Sequence, residues 1–503
     1  MMATTHHNRQ RLSDLLTGFA SIAPADDVEI YGISQFSGDT QQGDVFLATA
    51  NGTTHGLSYQ QDAVARGAAA IVWETAATID AEHLDCAVPS VEVPALSKHV
   101  FELIQRFYGP VSQDLCINAV TGTDGKSSVT HLLAQALDSL GQHCGLIGTL
   151  GYGRLSQLNA ATHTTPPPAR LAREFYQLAE QGCQQVAIEA SSHALAQGRL
   201  HELKINTAIL TNISHDHLDY HQTQEEYIAA KAKLFFDAKA EHVVLNIDDA
   251  VAEAWAQSWE QTATLIRYSM TRMDADVYAS SIRYSADGVD LNLHLAADRL
   301  AIHSKLLGPF NVSNLLAVAA TLFVQGFSGD QIKSSLEQLL PVPGRMQVVR
   351  STARHVVVDF AHTANALQAA IAAVRVHYSG RLICVFGCGG ERDQAKRQMM
   401  GEVAARHADE IIITNDNPRT EAPNAIAAEI LDGAQKTATK GQKITVILDR
   451  QQAIAEAINR STAADVILLA GKGHEAEQQI GDQKYPFDDV LVTAELLNGR
   501  ADV

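Results

Sequence analysis

The segment that most constrains this chain is Val120-Thr121-Gly122-Thr123-Asp124-Gly125-Lys126-Ser127. An apolar, strand-like run from Leu115 to Val120 leads into it. Behind it Val129, Leu132, Leu133, Ala136, Leu137 and Leu140 recur at helical spacing until Gly141. Strand, glycine loop and helix together aim backbone N–H groups and a helix N-terminus at an anion. In such a loop Lys126 reaches the outer phosphates and the Ser127 hydroxyl holds Mg²⁺. The pattern therefore predicts a nucleoside triphosphate site. Val120 stands where a full Walker A run has its first glycine. A glycine-rich tight turn before Lys-Ser is the plainer reading, but the flanking strand and helix favour phosphate.

Composition sets limits around this loop. The 503 residues exceed a single hydrophobic core, which predicts two to four domains. With 38 basic against 57 acidic residues the net charge is −19. That balance argues against a broad basic face, so neither nucleic acid nor a membrane is expected as a partner. Anionic substrates must be met by local positive sites. The six cysteines, at 86, 116, 144, 183, 384 and 388, are scattered, and no second Cys/His pair joins Cys384 and Cys388 in a zinc set. A reduced, cytoplasmic protein is expected, with free core thiols. The polar stretch Met1 to Arg11 lacks the apolar core of a signal peptide and is expected to fray. No apolar run approaches membrane-spanning length.

Three blocks emerge along the chain. The first, up to about Pro110, has short strands at Val45 to Ala48 and Ala69 to Trp73 around a helix near Tyr59 to Arg66. The second starts at the phosphate-loop strand and alternates strand-like runs (Val186 to Ile188, Ala208 to Leu210, Val243 to Asn246) with helical patterns, which implies a parallel sheet. Within it Val289, Leu291, Leu293 and Leu295 alternate with polar residues after Asp287-Gly288, the mark of a half-exposed antiparallel hairpin. It ends near Pro341-Val342-Pro343-Gly344, read as a hinge. The third block has strand-like runs at His355 to Phe360, Ile383 to Phe386, Ile411 to Thr414, Thr445 to Leu448 and Val466 to Ala470. It reads as a second doubly wound α/β domain, whose ligands gather at strand carboxyl ends.

Polar groups stand where that rule places a site. Glu189 follows a strand, and Ser191, Ser192 and His193 come next. A carboxylate there can hold Mg²⁺, although taken alone Glu-Ala-Ser-Ser reads better as a helix N-cap. His215 to His221 holds three His and two Asp in seven residues, which suits a metal–nucleotide site with His217 as a ligand. A zinc hydrolase is the other reading, and the phosphate loop makes Mg²⁺–ATP the simpler one. Tyr227 to Phe235 reads as an amphipathic helix with solvated lysines, and nothing in its spacing singles out Lys231. In the third block Gly387 to Asp393, Asp416-Asn417-Pro418-Arg419 and Gly471 to Glu475 each follow a strand. Each alone is turn chemistry. Jointly they form a rim of arginines and carboxylates suited to a zwitterionic amino acid, with Glu475 able to take an ammonium.

These motifs, with Gln197-Gly198-Arg199, Asn311 to Asn314, Pro343 to Met346 and Asp359 to Thr363, resemble in order the Mur ligase family over most of the chain. The resemblance implies an α/β, three-domain architecture. Residues 1–110 would bind a UDP-sugar, 111–340 would form a central P-loop ATPase-like domain, and 341–503 would form a Rossmann-like domain for the incoming amino acid. It implies an ATP-dependent ligase of peptidoglycan synthesis, expected as a monomer, that phosphorylates a carboxylate and lets an amine attack the acyl phosphate. Gly122, Thr123, Asp124, Gly125, Lys126, Ser127 and Ser128 would cradle the nucleotide, with Asn314, Arg345, Asp359 and His362 facing it. Ser127, Glu189, His217 and a carbamylated Lys231 would ligate Mg²⁺, and Lys126, Lys231, His217 and Glu189 would serve catalysis. Ser37, Thr164, Thr165, Ser191, Gln197 and Arg199 would contact the acceptor, UDP-muramoyl dipeptide. Arg392, Asp416, Asn417, Arg419, Gly471 and Glu475 would contact the amino acid. The Asp416 to Arg419 motif is similar to the version that goes with meso-diaminopimelate, Arg419 meeting its extra carboxylate.

The chain departs from the family in Asp124 for Asn, in Ser127-Ser128 for Thr-Thr, and in Phe36-Ser37-Gly38 and His55-Gly56 for Asp-Ser-Arg and Asp-Gly. Those last two leave a second expectation open: a paralogous amide ligase with the same chemistry and a different carboxylate acceptor.

Overall fold

The computed structural model describes residues 8–51, 54–75, 87–110, 114–349 and 354–498. Cys86 and most of the polar N-terminal stretch lie outside them. The chain forms two compact units, Met1–Leu245 with Val251–Leu265, and Asn246–Ala250 with Ile266–Val503.

In the first unit, β1 (Gly32–Ser34), β2 (Asp44–Ala48), β3 (Ala70–Glu74) and β4 (Ser90–Val93) form a parallel sheet in that order, followed by α1 (Leu96–Tyr108). β5 (Cys116–Thr121) then feeds the glycine loop and α2 (Lys126–Ser139). After them come β6 (Cys144–Gly148), β7 (Gly151–Arg154), β8 (Gln157–Asn159), α3 (Pro168–Glu180), β9 (Gln185–Glu189), α4 (Ser192–Ala196), β10 (Thr207–Leu210), α5 (Gln224–Phe236) and β11 (His242–Asn246). The strands lie in the order β8-β7-β6-β9-β5-β10-β11, parallel from β6 onward. β5, β9 and β10 are near-continuous apolar runs, as strands covered on both faces are, with buried Asn118 of β5 paired to Gln185 at 2.9 Å: Ile117, Ala119, Val186, Ile188, Ala208 and Leu210 are fully buried. Burying each large aliphatic side chain contributes about 1.5–3 kcal/mol. β6 escaped the sequence reading because glycines break its short apolar run, Cys-Gly-Leu-Ile-Gly.

Charge ties α3 to the first sheet. Arg173 donates to Asp44 at 2.6 Å and to the Ile33 carbonyl at 2.9 Å. Arg170 donates to Asp39 at 2.5 Å and to Glu174 at 2.8 Å. The other Glu174 oxygen is buried without a hydrogen-bond partner. Burial pushes the Glu174 carboxyl up to about 7; Arg170 opposes this and the Asp39 charge adds to it. The folded state thus keeps a proton that the unfolded chain, titrating near 4.5 like any free glutamate, has lost. Stability from this group is complete below that value and disappears as pH rises through about 7. The loss is on the order of 3 kcal/mol. Glu174→Gln is expected to abolish that part of the decline, read as urea midpoints at pH 5 and pH 8. Equal declines in parent and variant would remove Glu174 from the account.

In the second unit, β12 (Val277–Ser285), β13 (Gly288–Leu295) and β14 (Asp298–Ser304) form an antiparallel meander, one strand more than the expected hairpin. Val289, Leu291, Leu293 and Leu295 are buried on one face. α6 (Pro309–Val324) follows. A six-stranded sheet has the order β15-β16-β20-β17-β18-β19. Its strands and helices in chain order are β15 (Gln347–Val349), β16 (His355–Asp359), α7 (Ala364–His377), β17 (Leu382–Phe386), α8 (Ala395–His407), β18 (Glu410–Ile413), α9 (Pro423–Thr437), β19 (Lys443–Val446), α10 (Arg450–Arg460), β20 (Val466–Ala470) and α11 (Asp489–Asn498). Leu367, Ile371, Met400 and Ile430 from α7, α8 and α9 cover one face. Ile454 and Ile458 of α10 and partly buried α11 residues cover the other. The sheet is therefore doubly wound. β19 lies two residues before the expected Thr445 to Leu448, because the chain there turns toward Asp449, whose side chain caps α10 at the Gln452 N–H, 2.8 Å away.

The segment read as a hinge is tied down: Gly344 N–H donates to Gln347 at 2.8 Å and Met346 N–H to buried Asp359 at 2.9 Å. His377 of α7 docks the meander. Its Nε2 accepts from Gly308 N–H at 2.7 Å and its Nδ1 lies 2.6 Å from the Ser285 carbonyl. Only a neutral ring with its proton on Nδ1 satisfies both, and burial lowers the His377 pKa accordingly. No helix among the described residues is long and apolar enough to cross a membrane.

Candidate active site

The phosphate loop sits between β5 and α2, as its sequence predicts. Gly122 is obligatory: a Cβ there would lie 1.8 Å from Thr211 Oγ1. The loop is clamped from β10 outward. Thr211 Oγ1 and Asn212 Nδ2 donate to the Asp124 carbonyl at 2.6 and 3.1 Å, and Asp124 N–H donates to Asn212 Oδ1 at 3.0 Å. Asp124 is exposed, so the loop uses its backbone and leaves its charge in solvent. Lys126 opens α2, and its Nζ donates to the Gly122 and Thr123 carbonyls at 2.8 Å each.

Parallel pairing sets Glu189 opposite Val120, one strand over from the loop. Glu189 accepts from Ser127 Oγ at 2.9 Å and from Thr149 N–H at 2.7 Å. It ends β9, whereas the sequence reading set it just beyond. A hydroxyl and a carboxylate brought together in this way are hard oxygen donors, the kind a Mg²⁺ ion takes. The N-cap reading of the next residues holds: Ser191 caps α4 through Ala194 N–H, and its own N–H donates to Thr165 Oγ1 at 3.0 Å. Thr165 Oγ1 donates to the Glu189 carbonyl at 2.6 Å. Arg199 donates to the Thr165 carbonyl at 2.6 Å and is gripped by Gln197 Oε1 at 2.9 and 2.7 Å. Thr164 meets Thr149 at 3.1 Å. Beside Arg199 opens a cavity of about 230 Å³, lined by Gln35, Ser97, Phe101, Leu171 and Leu203 among others.

Lys231 overturns the solvated-lysine reading of α5. Its relative exposure is 1%. Nζ donates to the Gly122 carbonyl at 2.7 Å, the same oxygen that Lys126 uses, and sits 4.5 Å from the Tyr227 ring centroid. Burial drives its pKa well below that of free lysine, and the Lys126 charge adds to the shift. Lys233 is the solvated one. His217 is exposed, at φ 52°, with Asp216 3.4 Å away. Its ring lies 4.9 Å from that of His193 and 6.3 Å from Tyr227. Among the described residues no group of three or more His, Cys, Asp or Glu is arranged to hold a metal. Ser37 lies apart, in a 3₁₀ turn (Ser37–Asp39), and bonds to Asp62. At the second departure from the family, His55 Nδ1 caps the following 3₁₀ turn through Leu57 N–H at 3.1 Å.

In the second unit, Asn314 donates to Asn311 at 2.9 Å, both buried on α6. Arg345 stacks 4.6 Å from the Phe360 ring centroid, His362 packs against the same ring, and Asp359 accepts from Met346 and Ala361 N–H groups at 2.9 Å each. Burial raises the Asp359 pKa against the pull of Arg345.

The expected rim of arginines and carboxylates forms where β17, β18 and β20 end. Asp416 is buried, one oxygen so near Gly471 that a Cβ there would lie 2.6 Å from it. Asn417 donates to Glu475 at 2.8 Å. Arg419, at φ 52°, donates to the Gly390 carbonyl at 2.6 Å. Arg392 is exposed at the edge of the rim. A fully buried pair, Arg450–Asp489 at 2.6 and 2.7 Å, braces it from below, Arg450 also donating to the Asn415 and Ala470 carbonyls. Sequence reasoning missed this pair, and it missed Thr149, Tyr227 and Lys472, the last buried between Asn417 and Glu475.

Comparison with known proteins agrees with this geometry. The Mur ligase middle domain matches residues 120–322, and the Mur ligase glutamate ligase domain matches residues 344–473. The chain belongs to the Mur ligase family. It is 42% identical over 487 residues to the UDP-N-acetylmuramoyl-L-alanyl-D-glutamate–2,6-diaminopimelate ligase of Alkalilimnicola ehrlichii, covering 95% of this chain and 97% of that one. The ligase of the same name from Coxiella burnetii is 40% identical, with 96% and 98% covered. A solved structure of a ligase of that name superposes with a TM-score of 0.69 at 34% identity, covering 98% of this chain and 99% of the other.

Proposed function

We propose that this chain joins meso-diaminopimelate to UDP-N-acetylmuramoyl-L-alanyl-D-glutamate at the expense of ATP, in the cytoplasmic stage of peptidoglycan synthesis. The observation that carries this reading is the rim at the ends of β17, β18 and β20. It offers guanidinium groups for two carboxylates and Glu475 for an ammonium, which is the polarity of diaminopimelate. The full-length likeness to ligases of that name supports it.

In this reading the acceptor's free carboxylate lies near the Thr165–Arg199 network, and the γ-phosphate of ATP lies over the N-terminus of α2. The carboxylate attacks phosphorus and ADP leaves. The amine then attacks the acyl phosphate, and phosphate departs from a tetrahedral intermediate. No enzyme nucleophile is needed; charge neutralisation and placement do the work. Lys126 leaves its loop carbonyls to meet the outer phosphates. Mg²⁺, when bound, neutralises charge on the phosphate oxygens. Ser127, Glu189, His217 and Lys231 would hold it, Lys231 as a carbamate. Burial, with the Lys126 ammonium beside it on the Gly122 carbonyl, holds the Lys231 pKa well below that of free lysine and so favours the neutral amine, the form that adds CO₂. Asn314, Arg345, Asp359 and His362 would face the nucleotide.

An amino-acid screen coupled to phosphate release, with and without the UDP-muramoyl dipeptide, tests the proposal. Strict dependence on diaminopimelate and the UDP substrate is expected. The altered Phe36 to Gly38 and His55 positions keep a second reading in play, a ligase with the same chemistry and another acceptor, and turnover with a truncated carboxylate in place of the UDP substrate would favour it. Arg419→Ala is expected to raise the KM for diaminopimelate about ten- to a hundredfold, the equivalent of a charge-assisted pair of about 1.5–3 kcal/mol. An unchanged KM would point to a different amino acid.

A further inference from the structure

Lys472 is one of the largest side chains with no solvent exposure at all. It follows β20 inside Gly471-Lys472-Gly473, a run that reads as a turn. Its ammonium reaches back to three oxygens: the Glu477 carbonyl at 2.6 Å, Glu475 Oε2 at 3.2 Å and Asn417 Oδ1 at 3.3 Å. Asn417 Nδ2 closes the triangle by donating to the same Glu475 Oε2 at 2.8 Å, and Gln479 N–H also donates to Asn417 Oδ1, at 2.9 Å. A lysine ammonium cannot accept, so it forces the amide oxygen of Asn417 inward and the amide nitrogen outward.

This triangle has two outward-facing valences. The second N–H of Asn417 is a donor aimed away from Lys472. Glu475 Oε1 has no hydrogen bond among the described residues, and the Glu475 side chain is 36% exposed. Lys472 also changes the charge of the rim. It is the cation closest to Glu475, so the Glu475 carboxylate is largely compensated from behind. With Glu475 compensated, the guanidinium groups of Arg392 and Arg419 are left to meet a second carboxylate, which an amino acid bearing a second ammonium alone lacks.

We infer that Lys472 is a positioning residue for the incoming amino acid, which orients Asn417 and Glu475 toward it and cancels enough of the Glu475 charge to favour a dicarboxylic amino acid over L-lysine. The inference rests on the ligase reading above and deepens it. Lys472 touches neither reacting atom, so its loss acts on binding of the amino acid and leaves acyl-phosphate formation in place.

The test compares parent, Lys472→Met and Lys472→Met/Glu475→Gln in the full-length protein, with Glu475→Gln alone as the reference for the double variant. Methionine preserves volume, and the double variant removes the buried cation together with its partner, so one of the two keeps the fold if a lone uncompensated Glu475 does not. KM values for diaminopimelate, the UDP-muramoyl dipeptide and ATP are measured. Acyl-phosphate formation is read separately by trapping it with hydroxylamine as the hydroxamate, without amino acid. The expected result is a KM for diaminopimelate raised about thirtyfold or more, hydroxamate formation within about twofold of parent, and a preference for diaminopimelate over L-lysine reduced about tenfold in Lys472→Met. The double variant is expected to melt at the parental temperature and to show a KM for diaminopimelate above that of Glu475→Gln alone, and equal values in the two overturn the inference. An unchanged KM for diaminopimelate, or a parallel fall in hydroxamate formation, overturns the inference and leaves Lys472 a structural lysine. A parent protein that makes hydroxamate but never uses diaminopimelate overturns the ligase reading itself, and this inference with it.

Discussion

Lys126→Ala is expected to lower kcat by about 10²–10³-fold while the protein melts at the parental temperature. The size follows from the chemistry. Transfer of a γ-phosphoryl group spreads negative charge over oxygens that only fixed cations and N–H groups can stabilise, and removing one such donor costs on the order of 3–4 kcal/mol. The unchanged melting follows from the clamp. Thr211 and Asn212 hold the Asp124 carbonyl from β10, and Gly122 is packed against Thr211, so the loop keeps its shape without the Lys126 ammonium. Phosphate release under saturating substrates, with calorimetry on the same preparation, checks both halves. Near-parental turnover would remove the phosphate-loop assignment and everything built on it.

The second large effect is expected at Lys231. Burying an amine with one carbonyl, the Thr121 hydroxyl at 3.5 Å and an aromatic face for company, next to a second ammonium, is costly for the fold. A chain retains such a group for its chemistry. Lys231→Met, which fills the same volume, is therefore expected to melt no lower than the parent and to lose activity by about 10²–10³-fold. Lys231→Ala leaves a space in which acetate or formate can stand for the carbamate oxygens, and part of the lost rate should return as their concentration is raised. Rescue by carboxylates but not by chloride at equal ionic strength would mark a missing anionic ligand. A methionine variant that unfolds while its activity per folded molecule is intact would make Lys231 a structural residue.

Where function is written locally, it could be read from residues alone. Leu115 to Gly141 needed no tertiary knowledge: a buried strand, a glycine loop and an apolar stripe of helical period stand side by side, and β5 and α2 fall within a few residues of their expected limits. The strand-end carboxylates and arginines were found by the same means, because doubly wound sheets display their loops along one edge. The bond from Ser127 to Glu189 spans 62 residues and depends on β9 pairing with β5, a register no local pattern states. Lys231 was hidden for a different reason. A periodicity search scores lysine as polar and turns it to solvent, whereas the face of α5 that carries it is covered by the phosphate loop. Lys472 was hidden by its glycine neighbours, which mark a turn and conceal the side chain folded beneath it.

The bonds that His377 makes to Gly308 and Ser285 have a practical corollary for dissecting the enzyme. Cutting the chain at Pro341, where prolines and a glycine invite the cut, would strip α7 of its cover and leave an imidazole with both nitrogens unpaired on a raw apolar surface. A fragment begun near Ile266 carries its own lid for that helix, and it is the piece to clone when the carboxyl-terminal half is wanted on its own.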